Sequence, residues 1–349
     1  MAETVITGQT RASGDVKLRA PGAQGPWALA FRKLVNDRAA MVALAVLAVI
    51  TLICIAAPLY AAWAHTEPFR SNLDGQVLVN GKLVPALEQS TEGLGLGYTP
   101  VGPTWQLGNY FLGADNQGRD VFARLLYAGR NSLLIASGAT LLTLVFATIV
   151  GASAGFFGGI TDAILSRLMD ILWAFPIYLL AICLSVVLIN QGMKIGPFTI
   201  DSGSLLLPIF IIGVVYIPYV ARPIRGQVLS LRRSEFVLAA IGLGVPSSRI
   251  LFRDILPNVM PTLIVFIPIM MAIDMLTESA LSFLSIGVQQ PDASWGTIIQ
   301  DGIGLLYTRP WVALSGGIAI ACTVLALNVL GDGVRDALDP KAKLRIGAK

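Results

Sequence analysis

Asp274 and Glu278 stand four residues apart inside an apolar run, so in a helix they share one face. Ionisable groups in such a run are costly, which makes a proton or cation relay the sharp reading. Like charges at this spacing repel unless one is protonated or a cation sits close. A relay needs more acidic groups or a histidine along a path, and the chain supplies neither. His65 is the only histidine, which excludes His-x-x-x-His metal sites. The three cysteines, Cys54, Cys183 and Cys322, lack any paired spacing and read as small apolar residues. The one Gly-Lys pair, Gly81-Lys82, is followed by Leu83, so no P-loop is present. No nucleophile, metal cluster or carboxylate with a partner base is visible. The plainer reading puts Asp170 near one membrane face and Glu278 near the other, each satisfied by a neighbouring helix. A non-catalytic chain with no cofactor of its own is expected.

These groups sit in a chain that is 55% hydrophobic and 13% charged, with mean hydropathy +0.71. A soluble domain carries about 25% charged residues, so the deficit points to a polytopic membrane protein. Helical crossing of a bilayer needs about 20 apolar residues. Six runs qualify, near 39–63, 132–157, 163–189, 204–221, 259–284 and 311–331. The first is too long for a signal-peptide core and reads as a retained span. An even number of spans puts both termini on one side. Most of the 25 basic residues fall in the amino tail, the loop between spans four and five, and the carboxyl tail. The positive-inside rule makes that side cytoplasmic. The net charge of +4 then reflects topology and calls for no nucleic acid.

The expected fold is an all-α polytopic membrane protein with a small insert. Residues 1–25 read as a mobile cytoplasmic tail, and 26–38 as an interfacial amphipathic helix with Trp27, Phe31, Leu34 and Val35 on one face. Residues 39–63 form the first span. Residues 64–118 form a periplasmic insert, with a β-hairpin signal at Asn80-Gly81 between two β-branched runs. Residues 119–340 hold the other five spans, and 341–349 a second cytoplasmic tail. Gly151, Gly155, Gly158 and Gly159 read as close helix packing more than as pore lining. Pro176, Pro208, Pro218, Pro261 and Pro268 bend their spans. Residues 285–310 suggest a re-entrant or cap-like segment over the outer mouth.

The most informative stretch is 235–258, polar and basic between two spans. Ala239, Ala240, Gly242 and Gly244 lie at its centre, flanked by Arg232, Arg233, Arg249 and Arg253. Small residues there let a partner approach the backbone, and a mere connector would not need them. This segment resembles the cytoplasmic EAA loop of binding-protein-dependent ABC transporter permeases. More narrowly, the chain resembles the C-type permease subunit of dipeptide, oligopeptide and nickel importers. Residues 111–130, 168–176, 278–296 and 328–340 carry that resemblance in order. It departs at the motif's leading acidic position, which is Leu238 here, with Glu235 one turn earlier as the substitute acid. The insert is also longer than the usual link.

The resemblance implies a type I importer permease with six transmembrane helices in a bacterial inner membrane. The coupling loop would run over 223–257, with Glu235, Ala239, Ala240, Gly244 and Pro257 meeting an ATPase. Partners would be a second, B-type permease, two ATPase subunits that bind ATP and magnesium, and an external solute-binding protein. Phe175, Tyr178 and Glu278 are the candidates for the translocation path. Peptides are the expected cargo, with nickel and oligosaccharides as alternatives. An ion-coupled secondary carrier is less favoured, because no second half repeats the first.

Overall fold

The computed structural model describes residues 26–339, apart from 80, 90–96, 196–197 and 202. The tails expected at 1–25 and 341–349, and Asn80 of the hairpin turn, lie outside the described residues. Helix α1 (Pro26–Asn36) ends where Asp37 caps α2 (Arg38–Ile55). The Asp37 carboxylate accepts from the amides of Ala39 and Ala40 at 2.9 and 3.3 Å, satisfying donors that a helix start leaves free. The helix expected over 26–38 is therefore two helices meeting at Asp37. Trp27, Phe31 and Val35 are exposed on α1. A short α3 (Ala57–Trp63) follows α2.

The insert holds two antiparallel hairpins. Strands β1 (Gln76–Val79) and β2 (Lys82–Pro85) pair with Val79 opposite Lys82, and Gly81 takes the left-handed backbone at φ 79° that a two-residue turn needs. Strands β3 (Leu87–Gln89) and β4 (Tyr98–Pro100) form the second hairpin, which alternation did not reveal.

Helix α4 (Val121–Phe157) begins at Asp120, whose carboxylate caps the amides of Phe122 and Ala123. Its 37 residues make a rod of about 55 Å at ~1.5 Å per residue. The apolar core of a bilayer is ~30 Å thick, so the first turns of α4 stand clear of it. Gly158 and Gly159, at φ 68° and 54°, turn the chain into α5 (Gly159–Trp173). These two glycines therefore serve a turn, whereas packing was expected of them. Helix α6 (Ile177–Gln191) leaves α5 at 86°, so the kink expected at Pro176 is a near right-angle break. A short hairpin, β5 (Met193–Ile195) and β6 (Phe198–Ile200), links it to α7 (Leu206–Val215). Helix α8 (Ile217–Arg232) departs at 43°, and Thr143 donates to the Gly213 carbonyl at 2.9 Å near that break.

The cytoplasm-assigned segment contains α9 (Glu235–Gly242) and the single turn α10 (Ser247–Arg249). A π-helical stretch, Ile250–Ile255, then runs into α11 (Leu256–Phe283). Pro261 and Pro268 lie within α11 without ending it. The capped helix α12 (Trp295–Gly302) and the long α13 (Trp311–Leu338) complete the bundle. Helix α2, helix α4, the run 247–283 and α13 are each long and apolar enough to cross a membrane. Counting each bent pair as one span gives six.

Helix α4 is the axis of the bundle. A Cβ at Gly151 would lie 2.5 Å from the Ala221 carbonyl, and one at Gly155 2.7 Å from that of Arg225. The α4 and α8 backbones therefore touch, which is the packing use expected of these two small residues. Ile135, Ile212, Val220, Ile224 and Met270 fill the buried core around this contact. At the far end of α13, Gly333 makes room for Ala40 and Leu34, seating the α1–α2 elbow.

Candidate coupling surface and translocation path

Helix α9 is only eight residues long, and Ser234 precedes it with extended backbone. Val237 is fully buried and ties it to the core, while Phe236, Leu238, Ile241 and Leu243 remain exposed. Among the expected contact residues, Glu235, Ala239, Gly244 and Pro257 are exposed and Ala240 is half-buried. A Cβ at Gly242 or Gly244 would meet nothing within 4 Å. Gly244 also has φ 76°, which ends α9 in a left-handed turn. Its amide donates to the Ile241 carbonyl at 2.9 Å, and that of Val245 to Ala240 at 3.1 Å. The result is a short apolar ridge with small residues between large ones, rimmed by exposed Arg232, Arg233, Arg249 and Arg253.

Helix α8 carries this ridge, and α5 holds α8. Arg225 makes a two-pronged pair with Asp162, at 2.5 and 2.6 Å, and Ser166 donates to the same carboxylate at 3.0 Å. Three residues earlier, Arg222 reaches Asp170 at 2.8 Å and lies 4.9 Å from the Trp173 ring centre. Asp170 thus pairs at the α5–α8 junction, in accord with the plainer reading. The Asp162–Arg225 pair escaped sequence reading. Its signal is an acid in the first turn after a Gly-Gly break, with an arginine on the second helix after the next hairpin.

Of the path candidates, Phe175 and Tyr178 are about half exposed at the α5–α6 break. Glu278 is not exposed at all. It accepts from Ser132 on α4 at 3.0 Å and from Ser282 at 2.7 Å, so it is enclosed within this chain. Asp274, equally buried, accepts from Thr140 at 2.7 Å. Both acids accept from a hydroxyl of α4, and Glu278 has both oxygens bonded, whereas Asp274 is bonded through Oδ2 alone and its buried Oδ1 has no hydrogen-bond partner among the described residues. No cluster of three or more metal-ligating side chains occurs among the described residues.

On the insert side, four charges missed by sequence reading meet in a buried group. Arg119 pairs with Asp115 at 2.7 Å and Asp301 at 3.2 Å. Arg124 pairs with Asp301 at 3.0 Å and Asp115 at 3.5 Å. Two cations and two anions thus tie the end of the insert and the overhang of α4 to the last turn of α12. Asp120 lies beside them. Burial pushes its carboxyl up to about 6, against the pull of the two helix amides that it caps.

Residues 147–344 match the family described as the binding-protein-dependent transport system inner membrane component. The chain belongs to this family of permeases. Residues 25–77 match, in addition, the N-terminal transmembrane domain of oligopeptide transport permease C. Similar permeases include the dipeptide transport system permease protein DppC of Alkalihalophilus pseudofirmus, 34% identical over 322 residues and 92% of each chain. The oligopeptide transport system permease protein OppC of Bacillus subtilis is 34% identical over 331 residues, 95% of each. OppC of Escherichia coli K12 is 33% identical, covering 90% of this chain and 91% of that one. A permease-like fold recurs in an inward-facing structure of the MetNI methionine ABC transporter. There the TM-score is 0.50 at 18% identity, covering 62% of this chain and 97% of the other. The C-type permease reading from the sequence is therefore correct, as is the all-α, six-span architecture.

Proposed function

We propose that this permease forms half of the translocation path of an ATP-driven importer for di- or oligopeptides. A second, B-type permease would supply the other half, and an external solute-binding protein would deliver the cargo. Two ATPase subunits would bind ATP and magnesium, and one of them would grip the ridge of α9. The observation that carries this reading is that ridge: Phe236, Leu238, Ile241 and Leu243 stand exposed around an open Gly242 on a helix anchored through buried Val237. Exposed apolar groups in a short, fixed helix favour a helix-in-groove partner. The arginine rim favours a cytoplasmic ridge and cytoplasmic termini. Phe175 and Tyr178, at the broken α5–α6 pair, are the residues assigned to the path; enclosed Glu278 is given another role below.

Peptide cargo is preferred over nickel or oligosaccharides because the relatives at 92–95% coverage are dipeptide and oligopeptide permeases. The test is to tag the chain, extract the assembly in mild detergent, and assay peptide uptake in liposomes with the neighbouring binding protein. Co-purified ATPases and a second permease, with uptake that requires ATP, are the expected result. Uptake by this chain alone without ATP would sink the importer reading in favour of a secondary carrier.

A further inference from the structure

Glu278 is fully buried, and among the described residues no basic side chain pairs with it. A buried carboxyl is costly unless its oxygens are hydrogen-bonded. Here the bonds come from three hydroxyls. Ser132 and Ser279 donate to one oxygen at 3.0 and 3.3 Å, and Ser282 donates to the other at 2.7 Å. Two of these hydroxyls are themselves acceptors. The Trp295 amide donates to Ser132 at 3.1 Å, and the Val288 amide donates to Ser282 at 3.0 Å. A backbone N–H can only donate, so each hydroxyl has its hydrogen free for Glu278. Both relays run from the backbone of the segment after α11, through one serine, to the same carboxyl.

Trp295 is the first residue of α12, so its amide is among the donors that a helix start leaves unpaired. Glu278 therefore faces the positive end of α12 through one hydroxyl. The fit around this contact is close. A Cβ at Gly129 would lie 2.8 Å from the Trp295 ring, and one at Gly296 2.4 Å from the Ser279 carbonyl. The Trp295 indole donates to the Leu125 carbonyl at 3.1 Å, and Asn131 donates to that of Ala293 at 2.8 Å.

We infer that Glu278 is a positioning residue of the transport cycle, which through Ser132 and Ser282 fastens the 285–302 cap to α4 and α11. The cap then travels with those helices as one body and does not hinge as a flap. Backbone hydrogen exchange in the purified assembly tests this. Ser132→Ala removes the Trp295 relay, and Glu278→Ala removes both. Each should speed exchange across 285–298 by roughly tenfold, as expected when a buried donor loses its acceptor, and leave α8 and α13 unchanged. Glu278→Gln keeps a carbonyl acceptor but turns an amide toward other hydroxyls, so it should fall between.

Unchanged exchange in 285–298 in both alanine variants would overturn the inference, as would a rise spread over the whole chain. Should Glu278→Ala fail to assemble, Ser132→Ala carries the test alone. The second readout rests on the importer reading: uptake should fall while basal ATP hydrolysis by the assembly persists. Fast exchange with undiminished uptake would overturn a role in the cycle. Wild-type protein without ATP-dependent uptake would count against the importer reading and leave the exchange result standing.

Discussion

At the residue scale, small side chains in the coupling segment serve two different ends. Gly244 sits at φ 76°, so a side chain there is strained whatever the space around it. Gly244→Ala should cost roughly 1–2 kcal/mol, read as a lower unfolding midpoint, and so cannot report on docking cleanly. Gly242 has open space and no such backbone, and Ala239 is exposed. Gly242→Arg and Ala239→Arg should leave stability within about 0.5 kcal/mol and still remove ATPase co-purification and uptake. Retained ATPase binding in both would take α9 out of the interface. Asp120 offers a pH test. Its folded carboxyl is raised from 3.8 to about 6, so the folded state holds the extra proton between those values. Stability from this group should therefore fall as pH rises from about 4 to about 6. Asp120→Asn, which keeps a capping oxygen, should flatten that part of the unfolding profile; an unchanged profile would assign the slope to other groups. Sequence alone exposes the small-residue cluster and the buried acids, because they interrupt apolar runs. It hides the φ of Gly244, and it hides Ser132, which lies 146 residues from Glu278.

At the scale of elements, apolar length marks the spans, but their breaks need three dimensions. Pro176 signals a bend. The 86° turn between α5 and α6 also reflects the backbone before a proline, which disfavours helix at Phe175. The second insert hairpin, β3–β4, escapes because its strands have three residues each, too short to show alternation. The α5–α8 clamp escapes because Asp162 and Arg225 are 63 residues apart. That clamp is where motion of the coupling ridge would reach the broken helix pair. Arg225→Asp and Asp162→Arg should each weaken uptake, with a coupling energy of about 1 kcal/mol, roughly fivefold. The double reversal should recover much of the loss, because it restores opposite charges in the same place. Additive losses in the double variant would show that the pair does not link the two helices in function.

At the scale of the whole molecule, α12 is held at both ends by buried polar groups. Glu278 and its serines hold the start, and the Asp115–Arg119–Arg124–Asp301 group holds the last turn. The second group also fastens the insert, since Asp115 directly follows Ala114, which bridges to Asp120 at the insert's end. Such a neutral cluster is poor evidence for net stability, but removing one member strands an unpaired charge. In Asp301→Ala, Arg119 and Arg124 would face each other with Asp115 as their one remaining anion. A cost of about 3–5 kcal/mol is expected. Asp301→Asn, which keeps an acceptor but not the charge, should cost less. Because the bonds lost join separate parts of the chain, damage should begin at the insert. Limited trypsin digestion should cut first at Arg70 or Lys82 there, while the span helices stay protected. Cleavage spread evenly, or an insert as resistant as in the wild type, would mean that the hairpins and α4 hold the insert without the charges.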